Sequence, residues 1–584
     1  MTRRAAILAI CLALAAGLLG TRSWTVALGR VERHAIHAVE QRTGFAVTSL
    51  ERVEFALLPL PRISLSGVAF AQRDGSISGQ ALRLRGFLRL LPLLTGQIDF
   101  DRIDLVGPQL DIAVPAGSES VIDWLAPPLA EFEKLTTQSR IVIRAGSLFL
   151  RAGGAIQSVV RDVDLVIGAR ERNQPFSVAG AFNWRGTKTE VNLVWPVIGG
   201  SAKASLSAMS PLLKLRFDGA RSGPDEPFVT GTLSLSAPSL PRLLGWFGEN
   251  SRLADALGAV SLNADLRLKP HEASFNNAAI SLDGERLDGV MKLAEADGRM
   301  ALSGTLAGST LDLGRIIERL PLPAIDGSDR SPFELEGWTG RDVDLRISVD
   351  AARLKGARLA DVATYVLVKR GRFETGLLRA AAYGGTLKGR LLAMAAPAGV
   401  DVKIQAAVDK VNLGQAGADV PALSRLSGTG GMQLALDGAG RSFAELVGAL
   451  SGRAGVQLRQ GEITGVALTD LLKRAERGAA LPPARETRQS RTDVDTLSAN
   501  AGVANGLLVL TDAQMSGTGY RLGLAGSLQL RNRELDMTAT LAAPGGASKA
   551  MLALKGPIEA PFVAPPSEAR LNGDSEGSPL WLGR

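Results

Sequence analysis

Cysteine and histidine are nearly missing from this chain, and each shortage removes a class of chemistry. The one cysteine among 584 residues, Cys11, cannot form an internal disulfide or build a multi-cysteine metal site. Three histidines, His34, His37 and His271, leave little material for imidazole catalysis or zinc binding. His34 and His37 are spaced to share one helix face, but no Cys/His pair nearby completes a ligand set, so they read as a solvated face. Blocks of like charge are also missing. The 66 Lys and Arg are interleaved with 58 Asp and Glu for a net +8, which argues against nucleic acid as a partner. A mildly positive surface would suit weak contact with anionic lipid headgroups, but an ordinary solvated mixed-charge surface is the favoured account.

The motifs of catalysis fare no better. No phosphate-cradling loop occurs, and Gly428-Thr429-Gly430-Gly431 lacks the remaining spacing of a dinucleotide fingerprint. Gly573-Asp574-Ser575-Glu576-Gly577 fits the G-x-S-x-G pattern of a hydrolase elbow, yet it lies in a polar stretch and no histidine follows Ser575. The pairs Asp99/Asp101, Asp162/Asp164 and Asp342/Asp344 put two carboxylates on one strand face. Apolar alternate positions make a polar outer face, guarded against edge pairing, the simpler account than a calcium or acid/base site. The expectation is a protein that is not an enzyme and carries no cofactor.

What is present begins with Arg3 and Arg4 before the uncharged run Ala5 to Gly20. This reads as a signal peptide or short signal anchor, the first 28 residues forming a transmembrane segment. Sixteen residues, 5–20, fall short of the ~20 that cross a bilayer unaided, which leaves cleavage open as an alternative. Trp24 would sit at the membrane interface, and the positive-inside rule favours a cytoplasmic N-terminus with the body outside. Residues 26–42 read as a helix leading away from the bilayer.

Beyond it the apolar period changes to two. ALRLRGFLRL (81–90), QIDFDRIDL (97–105), LDIAV (110–114), RIVIRA (140–145), VDLVI (163–167), LKLRFDG (213–219), ADLRLK (264–269), VDLRISVD (343–350) and VDVKIQ (400–405) alternate apolar with polar, the signature of half-buried strands. Turns such as VGPQ, RAGG, LDGE, YGGT and GTGY lie between strands and predict antiparallel hairpins and meanders. RDVDL recurs at 161–165 and 341–345, which suggests a reused unit in an extended sheet. Helices are expected at 121–135, 239–249, 441–451 and 467–477, the third opening on a capping box of Ser442 and Glu445. Residues 481–491 read as a loop and 561–584 as a disordered tail.

Two stretches carry a resemblance. TGFAVTSLERVEFALLPLPRISLSGVAF (43–70) and LRGFLRLLPLLTGQIDFDRIDLVGPQLDI (84–112) resemble the start of AsmA-family proteins, through Pro59, Pro61, Pro92, Leu93, Leu94, Gly96, Gly107 and Pro108. AAYGGTLKGRLLA (381–393) and the segments 426–475 and 503–541 resemble that family's C-terminal end. The resemblance implies a mainly β protein, an elongated bent antiparallel sheet forming a groove, with an N-terminal transmembrane helix and a few short helices. It divides the chain into an AsmA-like N-terminal repetitive region (29–330) and an AsmA-like C-terminal region (331–560). It further implies an inner-membrane anchor, a periplasmic body, phospholipid as partner, other envelope proteins as donor or acceptor, and a role in outer-membrane lipid homeostasis. The alternative is an assembly factor for outer-membrane proteins that binds polypeptide and not lipid. On this reading the apolar strand faces would line the groove: Ile63, Leu65, Leu82, Leu84, Ile98, Phe100, Ile103, Leu105, Leu110, Ile112, Leu213, Leu215, Phe217, Leu266 and Leu268. Alternation alone leaves open whether acyl chains or a second protein layer covers them.

Overall fold

The computed structural model describes most of residues 46–113, 140–476 and 490–564, together with residues 24, 25, 37 and 40. The apolar run 5–20, the helix expected at 121–135, the loop 481–489, Ile98 and the G-x-S-x-G motif lie outside the described residues. Of the helix expected at 26–42, His37 and Glu40 are described, and both are helical. No helix among the described residues is long and apolar enough to cross a membrane.

The chain divides into two compact units, residues 1–250 with 258–281 and residues 251–257 with 282–584. Each is mainly β, as the period-two pattern predicts. In the first, Arg52–Ala56, Arg62–Ala71, Ile77–Leu88 and Phe100–Ala113 form an antiparallel meander. From Arg140–Ala152 the meander resumes and continues through Val260–Lys269. In the second, Asp342–Leu354 begins a meander that reaches Lys549–Pro557. A short strand, Phe562–Ala564, then pairs onto it, inside the segment expected as a tail.

The hairpin chemistry is where the turn residues place it. Tyr383-Gly384 (φ 49° and 78°) and Asn505-Gly506 (φ 49° and 72°) are left-handed pairs. That conformation matches the twist of flanking strands and favours glycine at the second position.

Two corrections concern strand order. The 97–105 and 110–114 segments are not two strands around a VGPQ turn. They are one strand, Phe100–Ala113, in which Gly107 (φ 58°) makes a local irregularity and Pro108 is buried, without reversing the chain. The sheet is also not purely antiparallel: Phe100–Ala113 runs parallel to Arg140–Ala152, and Arg299–Asp312 runs parallel to Asp342–Leu354. A parallel pair needs a long crossover, and residues 114–139 and 313–341 supply it in the two cases. The second crossover carries the helices Leu313–Arg319 and Glu336–Thr339, neither of them foreseen.

The helices expected at 239–249, 441–451 and 467–477 form as Leu240–Phe247, Phe443–Ala449 and Leu468–Glu476. In the second, Ser442 Oγ accepts from the Glu445 N–H at 3.3 Å, and the Glu445 carboxylate accepts from the Arg441 N–H at 2.9 Å. The return bond of the capping box thus reaches one residue further back than its usual donor.

Candidate functional site: an apolar trough in the C-terminal unit

Five successive strands of the second unit, Arg491–Ala504, Leu507–Gly517, Tyr520–Gln529, Glu534–Ala542 and Lys549–Pro557, each turn residues two apart toward one space. Register aligns those residues into cross-strand rows. One row runs Leu497, Met515, Leu522, Leu541, Ala550. The next contains the paired Ala499 and Ala513, then Leu524, Ala539 and Leu552. Large side chains occupy four of five positions in the first row, whereas three of five in the second are alanine, and there the wall recedes.

The helix Leu468–Glu476 covers the first row. Its sequence LTDLLKRAE is amphipathic, so Leu468, Leu471 and Leu472 are buried against Leu458, Val494, Met515, Tyr520 and Leu541. The Leu468 N–H donates to Thr492 Oγ1 at 3.2 Å and seats the helix start on the strand. Tyr520 is fully buried under the same cluster; its hydroxyl donates to the Asp493 carbonyl at 2.7 Å, and burial pushes the phenol up to about 12. Tyr520→Phe is expected to cost about 1 kcal/mol through that lost bond, measured by urea denaturation; an unchanged midpoint would show that the bond contributes nothing.

Beyond the helix the second row leaves a cavity of about 260 Å³. Its walls are Ile463, Leu468, Leu471, Leu497, Ala499, Ala513, Met515, Leu522, Leu524, Ala539, Leu541, Leu552 and Leu554, with Thr492, Ser498 and Gln514 the polar side chains among them. Water needs several polar partners to reside in such a space, so the cavity chemistry favours hydrocarbon.

None of the described residues expected to line a groove belongs to this cavity. Ile63, Leu65, Leu84, Phe100 and Ile103 are buried together in one closed cluster, with Leu105 packed against it. Leu213 is buried with Trp184, Leu243 and Trp246, beneath the helix Leu240–Phe247. Phe217 is buried in a further cluster with Leu215 and Leu266 packed beside it. Leu110, Ile112 and Leu268 are half-buried. Leu82 stands apart at 74% exposure: Ala81 and Leu84 are buried while residues 82 and 83 are exposed, so the inward phase slips between them. The strands of the trough carry A-x-M (513–515), L-x-L (522–524), A-x-L (539–541) and L-x-L (552–554) in the sequence, but which of these residues share a row shows only once the register is known. The informative signal is small residues falling on the same row.

Two carboxylates of the unit, Asp342 and Glu374, are buried in ion pairs. Asp342, expected on a solvated face with Asp344, is instead buried between Arg299 at 3.0 Å and Lys369 at 3.0 Å, while Asp344 is exposed. Glu374, 5% exposed, accepts from Tyr365 Oη at 2.7 Å, Arg372 at 2.6 Å and Arg390 at 2.8 Å. Burial pushes its carboxyl up, but the hydrogen bonds from Arg372, Tyr365 and Arg390 outweigh this and hold it at about 2. A carboxylate depressed on folding stabilises above its ordinary value of 4.5, and that contribution is lost as pH falls through about 2. Glu374→Gln should therefore cost about 2 kcal/mol at pH 7. In urea titrations the difference from wild type should shrink steadily toward pH 2; a pH-independent difference would refute the charge assignment.

Fold and cavity together define a β-sheet protein with an apolar receptacle walled by sheet and one short helix. Residues 328–513 match the model of the AsmA family, so this stretch of the chain is similar to that family. The matched stretch includes the helix Leu468–Glu476 and the first strand of the trough wall. No curated protein and no solved structure matches the chain.

Proposed function

We propose that this protein binds phospholipid by its acyl chains, and transfers it, as a periplasmic body anchored in the inner membrane with its N-terminus in the cytoplasm. Its role would lie in outer-membrane lipid homeostasis and envelope biogenesis, with other envelope proteins as donor or acceptor. The observation that carries this reading is the 260 Å³ cavity, whose walls are almost wholly hydrocarbon. Each methylene moved into it from water contributes about 0.8 kcal/mol, so a short length of acyl chain suffices for useful affinity. Such work is binding, not catalysis, and requires no nucleophile or general base. The match of residues 328–513 to the AsmA family model supports the envelope setting.

Site-specific photo-crosslinking in cells with labelled phospholipid tests the proposal. A probe at Leu524 or Leu552, both lining the cavity, should give lipid adducts, and one at the exposed Ala525 should not. The same contrast at Leu266 against Arg267 asks whether lipid also reaches the first unit. Adducts to unfolded outer-membrane polypeptides, with none to lipid, would overturn the proposal in favour of an assembly factor.

A further inference from the structure

Four of the most exposed leucines among the described residues gather at one end of the first unit. Leu57 (47% exposed) and Leu60 (55%) lie in the loop between Arg52–Ala56 and Arg62–Ala71. Leu90 (55%) and Leu91 (79%) open the short helix Leu90–Leu94, which follows directly on the neighbouring strand Ile77–Leu88. The Leu88 N–H donates to the Pro61 carbonyl at 2.8 Å and ties the loop to the helix start. Beneath them Ala56, Pro61 and Leu88 are buried, and Leu93 packs on the core, so the backbone that carries these leucines is fixed. Exposed leucines held this rigidly, and grouped, mark a surface meant for an apolar partner.

The chain itself says which partner. Trp24-Thr25 pairs with Phe55 and Glu54, on the strand that ends immediately before Leu57. The apolar run 5–20 ends four residues before Trp24, a span of at most about 14 Å. Whatever surface receives that run therefore lies within reach of the leucine end. We infer that Leu57, Leu60, Leu90 and Leu91 insert into the headgroup layer of the bilayer that holds the N-terminal run, docking the sheet end directly on the membrane. The inference rests on the reading of residues 5–20 as a membrane anchor, and is independent of whether lipid occupies the trough. Docking at this end gives the protein a second membrane contact and fixes how the first unit stands on the bilayer, which a single attachment point would not.

The test uses the full-length protein in vesicles of phosphatidylethanolamine and phosphatidylglycerol containing nitroxide-labelled lipids. The chain's single cysteine makes the labelling direct: an environment-sensitive fluorophore is placed at Cys11 or, in a Cys11→Ser background, at Leu57→Cys, Leu60→Cys or Leu91→Cys. Ile156→Cys, an exposed position (50%) beside the far end of the strand Arg140–Ala152, serves as control. The expected result is quenching of Cys11 by acyl-chain nitroxides, quenching of the three leucine positions by headgroup nitroxides, and no quenching at Ile156. Quenching at Cys11 without quenching at the leucines would overturn the docking surface alone. An unquenched Cys11 would remove the anchor reading and the docking inference together, leaving the crosslinking result at Leu524 unaffected.

Discussion

Trp184→Ala is expected to destabilise the first unit by about 4 kcal/mol, the largest single loss foreseen in this chain. Trp184 is 6% exposed and its ring lies 4.7 Å from that of Trp246. Its Nε1–H donates to Ser158 Oγ at 2.7 Å, and its carbonyl accepts from Trp246 Nε1 at 3.0 Å. Arg185 closes the outer side, with its guanidinium 5.1 Å from the Trp184 ring and donating to the Trp246 carbonyl at 2.8 Å. Truncation would leave a cavity, an unpaired buried Ser158 hydroxyl and the helix Leu240–Phe247 without its platform. Trp184→Phe, which keeps a ring there, should cost about 2 kcal/mol. Urea denaturation gives the magnitudes, and hydrogen exchange should show the loss concentrated in residues 140–250. A change under 1 kcal/mol for Trp184→Ala would mean that this aromatic cluster is not what holds the helix to the sheet.

The second large effect is on binding. Ala539 is 5% exposed and stands in the row whose small residues make the cavity, so Ala539→Trp would fill that space with indole. Denying burial to about four methylenes at ~0.8 kcal/mol each removes roughly 3 kcal/mol, or about a hundredfold in affinity for an acyl chain. Because the space already exists, the overpacking penalty should remain below about 2 kcal/mol. Titration of the full chain with a fluorescent fatty-acyl probe reads the affinity, and thermal melting verifies the fold. Unchanged affinity in a folded Ala539→Trp variant would place the acyl site elsewhere.

Much of this architecture was legible because its determinants are local. Alternation in 213–219 and 264–269 sets the inward residues of those strands, and YGGT and GTGY form turns because the left-handed positions they require are cheap for glycine. The parallel pairings were not legible, because register between segments separated by a crossover leaves no mark in either segment. The RDVDL recurrence shows the same limit. Asp162 (φ 50°) sits exposed at an irregularity in its strand, whereas Asp342 is buried in an ion pair, so one short sequence serves two environments. The groove residues were read from alternation alone, and alternation is the same whether a face is sealed, as at Leu65 and Phe100, or left hollow, as at Leu524. Hollowness depends on which side chains meet across strands, and that needs register.

The two parallel seams also set an order of assembly. A hairpin such as the one closed by Tyr383-Gly384 joins neighbours in the chain and can form within microseconds of its second strand becoming available. The seam between Phe100–Ala113 and Arg140–Ala152 must instead wait for residues 114–139 to close a long loop, and the one at Arg299–Asp312 waits for residues 313–341. During synthesis each seam would leave an unsatisfied strand edge open for longer than any hairpin does. At such edges a nascent chain is exposed to wrong pairing and has need of a chaperone.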